Sequence, residues 1–297
     1  METLKEILAP DFLLRNSVYT SVLVGFACPL VGVFLVLRRL VFMGVALPQV
    51  SSTGVAVALS LPVWLHFGAA PHGSNGQTGH LLALAGSTLF TLLAILSLAF
   101  MERRGRGLPE GRLGTVYVVA TAASILLLSK NRVAEAGWLD LLKGEIITIS
   151  DFDLKLTAIA LALVLCVLGW FHKEILFVSF DRSMAATLGK KVVFWDAALY
   201  LLIGLTVSIA VLSVGPLIAF GFLLIPALTA HLFSRTMRQF VIGASLLGGL
   251  TSFLGFWLAY SADLPVGPTD VVLLGAVYLI CGVLNRVLIG WKSVQRL

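Results

Sequence analysis

Apolar residues in this chain neither alternate with polar ones nor form single stripes between charged faces. They come in long unbroken runs separated by short charged connections. Stretches free of Asp, Glu, Lys and Arg cover 16–37, 40–71, 81–101, 113–129, 156–172, 197–234, 239–262 and 271–285. A helix needs about 20 such residues to cross about 30 Å of hydrocarbon, so each long run predicts a membrane span. The run 197–234 is too long for one span, since 38 helical residues extend about 57 Å. It also contains Gly215-Pro216 and Pro226. Dividing it near Gly215 predicts nine segments, and the expected fold is all-α, a polytopic membrane protein of about eight to nine transmembrane helices.

Residues 1–16 mix Glu2, Lys5, Glu6, Asp11 and Arg15 with Leu and Phe, which predicts an interfacial amino-terminal segment rather than a cleavable signal peptide. Residues 17–297 read as one transmembrane domain, without a 20 to 50 residue repeat. Gly44, Pro48 and Gly54 punctuate the second run, and Pro216 and Pro226 the sixth. Broken backbone at membrane depth survives only when packed in protein or lining a wet cavity, so these positions are expected to mark breaks along a translocation path.

Composition agrees with the pattern. Apolar residues make up 59% of 297, and the 21 basic and 15 acidic residues are 12%, about half the quarter usual for a soluble domain. A mean hydropathy of +1.00 excludes a disordered chain. The formal charge of +6 is dispersed among the connections rather than gathered on one solvated face, so no nucleic-acid partner is expected. Basic residues in short loops favour the cytoplasm. Alternating nine spans puts fifteen of the 21 on one side, among them Arg38, Arg39, Arg103, Arg104, Lys173, Arg182, Lys190, Lys191, Arg235 and Arg286, and predicts a cytoplasmic carboxyl terminus. Cys28, Cys166 and Cys281 lie inside apolar runs and read as small buried hydrophobes.

The sequence offers no obvious energy source of its own. Carriers driven by ion gradients usually bury carboxylates or histidines in their spans, whereas Asp196, Asp270 and His231 fall near segment ends. There is no His-Glu-x-x-His helix, and Gly189-Lys190-Lys191 lacks the earlier glycine and the hydroxyl residue of a phosphate-binding loop. A pump built on this chain needs a motor in another polypeptide. The basic connection 173–191 supplies a contact for one. Its core, residues 178–189, has an acidic cap at Asp181, helix formers, and a stop at Gly189, which predicts a short cytoplasmic helix. Met184, Ala185 and Leu188 would share one edge of that helix, fit to enter a groove on a soluble partner. The plain alternative is an amphipathic loop helix with no partner.

Four stretches resemble a known family. They are Pro29 to Arg39 with its double arginine, Asp140 to Ile146, Phe180 to Gly189, and Val214 to Ala230 followed by Asp263 to Thr269. In them the chain is similar, from about residue 17 to 283, to the integral membrane permeases of ATP-binding-cassette importers for zinc, manganese and iron. The resemblance implies a single permease domain in a bacterial plasma (inner) membrane, with no catalysis and no bound cofactor of its own. It also implies a second permease subunit, cytoplasmic ATP-binding subunits that consume ATP, an external solute-binding protein, and a metal ion as cargo. By the same resemblance, Asp181, Met184, Ala185, Leu188 and Gly189 would form the ATPase-coupling helix.

In the family, a Met-Gly-Asp-Ala-Leu-Ser-His stretch places Asp and His four residues apart on one helical face. Carboxylate with imidazole suits a divalent transition metal. Here the stretch is Met43-Gly44-Val45-Ala46-Leu47-Pro48-Gln49. Val45 cannot ligate, and Gln49 offers only a weak neutral oxygen, so the metal ligands stay unassigned. Gln49, Ser51, Ser52 and Thr53 remain as a neutral polar lining, with Met43 and Val45 beside them. Three explanations fit: a heterodimer with a permease that retains the ligands, metal transit over the neutral lining, or another cargo such as a metal chelate or organic solute. Readings from other classes are a stand-alone secondary carrier, a membrane enzyme, or a non-conducting structural subunit. His66, His72 and His80 in an external Gly/Ser-rich connection form a weaker metal-gathering candidate, with scattered solvated histidines as the alternative. His231 reads as interfacial, and Asp140 and Glu145 as external loop carboxylates.

Overall fold

The computed structural model describes residues 12, 14–64, 76–103, 109–128 and 149–294, with side chains over 12, 14–60, 81–97, 111–127 and 149–287. In chain order the helices are α1 (Arg15–Leu37), α2 (Val41–Trp64), α3 (Gly76–Arg103), α4 (Pro109–Leu128), α5 (Asp151–Trp170), α6 (His172–Phe180), α7 (Arg182–Thr187), α8 (Val192–Val214), α9 (Pro216–Phe233), α10 (Met237–Ala262) and α11 (Val266–Val294). Among the described residues seven helices, α1, α2, α5, α8, α9, α10 and α11, are long and apolar enough to cross a membrane. Of the eight to nine expected from the runs these seven are present, while the described apolar stretches within α3 and α4, Leu81–Ser97 and Gly111–Leu127, are shorter.

The division of the long run falls where expected. Gly215 adopts φ 84°, ψ 164°, a conformation open essentially to glycine, and Pro216 starts α9 without needing a backbone donor. The second run is different: α2 is helical straight through Gly44, Pro48 and Gly54, and α9 continues through Pro226. Proline costs a helix one hydrogen bond, which packing against neighbouring helices tolerates. Pro48 and Pro226 are both buried among such neighbours. The interfacial reading of residues 1–16 lies mostly outside the described residues. Phe12 packs edge-on against Tyr260, with ring centroids 5.4 Å apart.

The core holds large apolar side chains such as Leu35, Leu47, Ile203 and Phe222, but where helices cross closely small residues face inward and large apolar ones outward. On α10, Ile242, Leu246, Leu250, Leu254 and Leu258 project outward at four-residue intervals, while Ala244, Gly248, Ser252, Gly255 and Ala259 face inward. A water-soluble helix would show the reverse, so this inside-out pattern marks a lipid-facing surface. Cys166 also lies on the outer face, of α5, rather than in the core as expected. α1, α8 and α9 form the inner group, with α2 beside them. α3 and α4 pack on α2, α5 on α1 and α8, and α10 and α11 flank α1 and α9.

Backbone contact fixes the α1–α10, α2–α3 and α1–α9 crossings. A methyl on Gly248 would stand 2.2 Å from the Gly25 carbonyl oxygen, one on Gly54 2.4 Å from that of Gly86, and one on Gly32 only 1.6 Å from that of Leu223. Hydroxyls reinforce these approaches: Ser21 and Ser252 Oγ atoms are 2.8 Å apart, and Ser245 Oγ donates to the Phe26 carbonyl at 3.0 Å. Gly255 gives similar room to the buried Asp270 carboxylate.

Gly32→Ala should therefore force α1 from α9 and cost about 2–4 kcal/mol. In Gly44→Ala the new methyl meets only side-chain carbons at 3.5–3.6 Å, and its cost should stay within about 1 kcal/mol. Thermal unfolding of the two variants in the same detergent compares them.

Candidate translocation and coupling sites

The candidate lining residues on α2 divide into two groups. Val45 and Gln49, four residues apart and so on one helical face, are half-buried. The others face protein. Met43 belongs to the main apolar core. Ser51 is fully buried, with its Oγ 2.7 Å from Ser87 Oγ on α3. Ser87 in turn donates to the Ser208 carbonyl of α8 at 3.4 Å, and Ser208 Oγ reaches Thr91 Oγ1 at 3.2 Å. Thr53 Oγ1 lies 2.9 Å from each of the Gln49 carbonyl, the Ala120 carbonyl and Ser124 Oγ. Ser52 is buried beside them. Ser51 and Thr53 thus bind α2 to α3 and α4 by interhelical hydrogen bonds, and Ser87 and Thr91 carry the network on from α3 to α8.

Among the described residues no three of His, Cys, Asp and Glu gather as a metal site. Residues 65–75, which hold His66 and His72, and residues 129–148, which hold Asp140 and Glu145, lie outside the described residues. His80 falls in α3 with its side chain outside them. His231, in the last turn of α9, packs against the Phe240 ring, 5.2 Å between centroids.

The segment expected as one helix over 178–189 is two. Val178 to Phe180 close α6, and Asp181, extended at φ −144°, ψ 94°, begins α7 by accepting the Met184 N–H at 2.8 Å. Gly189 ends it at φ 72°, with Gly189 N–H bonded to the Ala186 carbonyl and Lys190 N–H to the Ala185 carbonyl. This is the paired terminal bonding that a left-handed residue permits. Ala185 is completely buried, whereas Met184 and Leu188 are 54% and 61% exposed. α7 is therefore seated by its smallest side chain and presents its two large apolar ones outward, next to exposed Phe180, Val193 and Phe194.

Beneath α7 lies a charge cluster not singled out from the sequence. The buried Asp196, in the first turns of α8, receives Arg38 Nη1 on Oδ1 at 2.6 Å and Arg182 Nη2 on Oδ2 at 2.5 Å. Arg38, the residue that caps the end of α1, also donates from Nε to Ser179 Oγ of α6 at 2.9 Å and lies 5.8 Å from the centre of the Tyr200 ring. The side chains of Arg38 and Asp196 are each 8% exposed, that of Arg182 57%. A carboxylate immediately before an otherwise uncharged apolar run was the available signal. Its partners, 158 and 14 positions away, were not readable from spacing.

Residues 11–285 match the sequence model of the ABC 3 transport family. The chain is 27% identical over 267 residues to the manganese import system permease protein ScaB of Streptococcus gordonii, covering 90% of this chain and 89% of that protein. It is 25% identical over 280 residues to a probable iron transport system membrane protein of Haemophilus influenzae, covering 94% and 92%. The solved structure of PsaBC from Streptococcus pneumoniae in complex with Fab superposes with a TM-score of 0.78 at 25% identity, over 94% of each chain.

Removing one partner of a buried pair strands the other charge. Asp196→Ala should thus cost about 3–5 kcal/mol, whereas Arg182→Ala, at a mostly solvated position, should cost about 1 kcal/mol or less. Melting of the detergent-solubilised variants, or their yield in membranes, tests this ordering.

Proposed function

The chain belongs to the ABC 3 transport family, and from that premise we propose that it is the membrane-spanning permease of an ATP-binding-cassette importer that carries a divalent metal ion. The observation that carries the reading is the family match across the whole helical bundle. The manganese and iron named for its relatives make those metals, with zinc, the cargo to test first. The chain supplies a conduit and no chemistry. ATP is consumed by separate cytoplasmic subunits, a second permease subunit completes the pathway, and an external binding protein delivers the metal.

Adding α3 and α4 to the seven long helices gives nine crossings. With the basic connections inside, this puts the carboxyl terminus and α7 in the cytoplasm. Residues 17–297 then form one permease domain, with 1–16 at the membrane interface. Asp181 and Gly189 define the two ends of α7, Ala185 anchors it, and Met184 and Leu188 are its contacts with the ATPase. On α2, Val45 and Gln49 face the pathway, flanked by Met43, and Ser51, Ser52 and Thr53 hold that helix in register. Gln49 contributes a carbonyl oxygen where the family has an imidazole, so the metal passes with much of its hydration retained.

The departures at Val45 and Gln49 favour one further reading, in which this subunit pairs with a different permease that retains Asp and His. Steady-state ATP hydrolysis by the reconstituted complex with its binding protein separates the two. Manganese, iron or zinc should stimulate the complex built on this chain alone several-fold, and Gln49→Ala should weaken that stimulation. A complex inert to all three metals until the second permease is added supports the mixed pair, and inertness to the metals in both forms excludes a free metal ion as cargo. Leu188→Asp places a charge in the apolar contact and should abolish copurification of the ATPase.

A further inference from the structure

We infer that the chain of contacts Arg182–Asp196–Arg38 is the rigid link by which movement of α7 reaches the α1–α2 hairpin, with Asp196 as the positioning residue at its centre. The inference rests on the proposed role of α7 as the ATPase contact. A six-residue helix is too short to hold itself together, and α7 is seated on α6 and α8. Ala185 supplies the apolar seat, and Arg182 supplies a charged tie into the bundle.

Each oxygen of Asp196 is engaged by a different arginine. In a buried, low-dielectric setting such charge-assisted bonds are short and directional. The carboxylate therefore cannot follow one arginine without pulling on the other. Arg38 is held from further directions by Ser179 and the Tyr200 ring, so its guanidinium moves with α6 and α8 rather than sliding past them.

What Arg38 carries is the start of α2. Arg39 is left-handed at φ 57°, Arg39 N–H bonds to the Val36 carbonyl, and Leu40 N–H bonds back to the Leu35 carbonyl at 2.8 Å. The connection is thus a closed terminal motif rather than a slack loop. α2 begins at Val41, and Gln49 lies about 12 Å further along its axis. A displacement of α7 is delivered to the helix that bears Val45 and Gln49 through one carboxylate and one two-residue turn. The exposure gradient supplies the means of testing it: Arg182 can be altered while the buried Arg38–Asp196 pair stays intact.

The experiment uses the full chain assembled with its ATPase and binding protein in vesicles, comparing Arg182→Gln and Arg182→Lys with the unaltered complex. Arg182→Gln should still copurify with the ATPase and hydrolyse ATP. The metal delivered per ATP should fall about 2- to 30-fold, and Arg182→Lys should recover part of it by reaching one carboxylate oxygen. Spin labels at Thr187 and Phe42 provide a readout independent of cargo. Their separation should be the same with and without ATP in the unaltered complex, and should change on ATP binding in Arg182→Gln. Unchanged metal per ATP together with an unchanged label distance in Arg182→Gln would overturn the link, and so would loss of ATPase binding, since Arg182 would then be a direct contact. An unaltered complex that hydrolyses ATP but moves none of the metals defeats the cargo assignment alone, and the label distances then decide. A chain that binds no ATPase defeats both.

Discussion

Inside a bilayer the lipid tails are as apolar as leucine, so burying leucine against another helix gains little. Association has to come from close van der Waals contact and from hydrogen bonds. That constraint organises this protein. Gly32 lets α1 touch the α9 backbone at Leu223, and the Gly25–Gly248 and Gly54–Gly86 pairs do the same at other crossings. Serine and threonine side chains then fasten the crossings, as in Ser21 with Ser252 and Ser51 with Ser87. The leucines and isoleucines that dominate the composition are largely turned outward on α10, where they solvate the helix in lipid.

The same constraint accounts for the placement of Asp196 and Arg38. A carboxylate and a guanidinium are tolerated in such a bundle when paired and near its water-facing end. Asp196 and Arg38 meet both conditions, in the first turns of α8 and at the residue that caps the end of α1. Arg182 then extends the pair out to α7, joining the exposed helix to the inner bundle with few degrees of freedom. A machine with no ATPase of its own needs such a point of entry for mechanical work.

Features decided locally were legible in the sequence. Apolar runs gave helices because backbone polar groups in lipid must be satisfied within the segment. The Gly215-Pro216 break, the Asp181 cap and the Gly189 stop were readable because each depends on the conformational range or donor set of one residue. Features decided by neighbours were not. Pro48 reads as a break but is absorbed into α2 by its packing, and Phe180, counted with the coupling helix, ends α6 instead. Ser51 and Thr53 read as candidate lining, yet their hydroxyls are taken up by α3 and α4. Asp196 looked like a segment-end acid until folding brought Arg38 to it across 158 positions.

The account stands on the claim that this bundle is a passive conduit worked from outside by ATP hydrolysis. Flux of labelled manganese, iron and zinc into vesicles tests it most directly, comparing vesicles that hold the permease alone under an imposed proton or sodium gradient with vesicles that also hold the ATPase and receive ATP. The account predicts uptake only in the second case. Sustained gradient-driven uptake by the permease alone would contradict it.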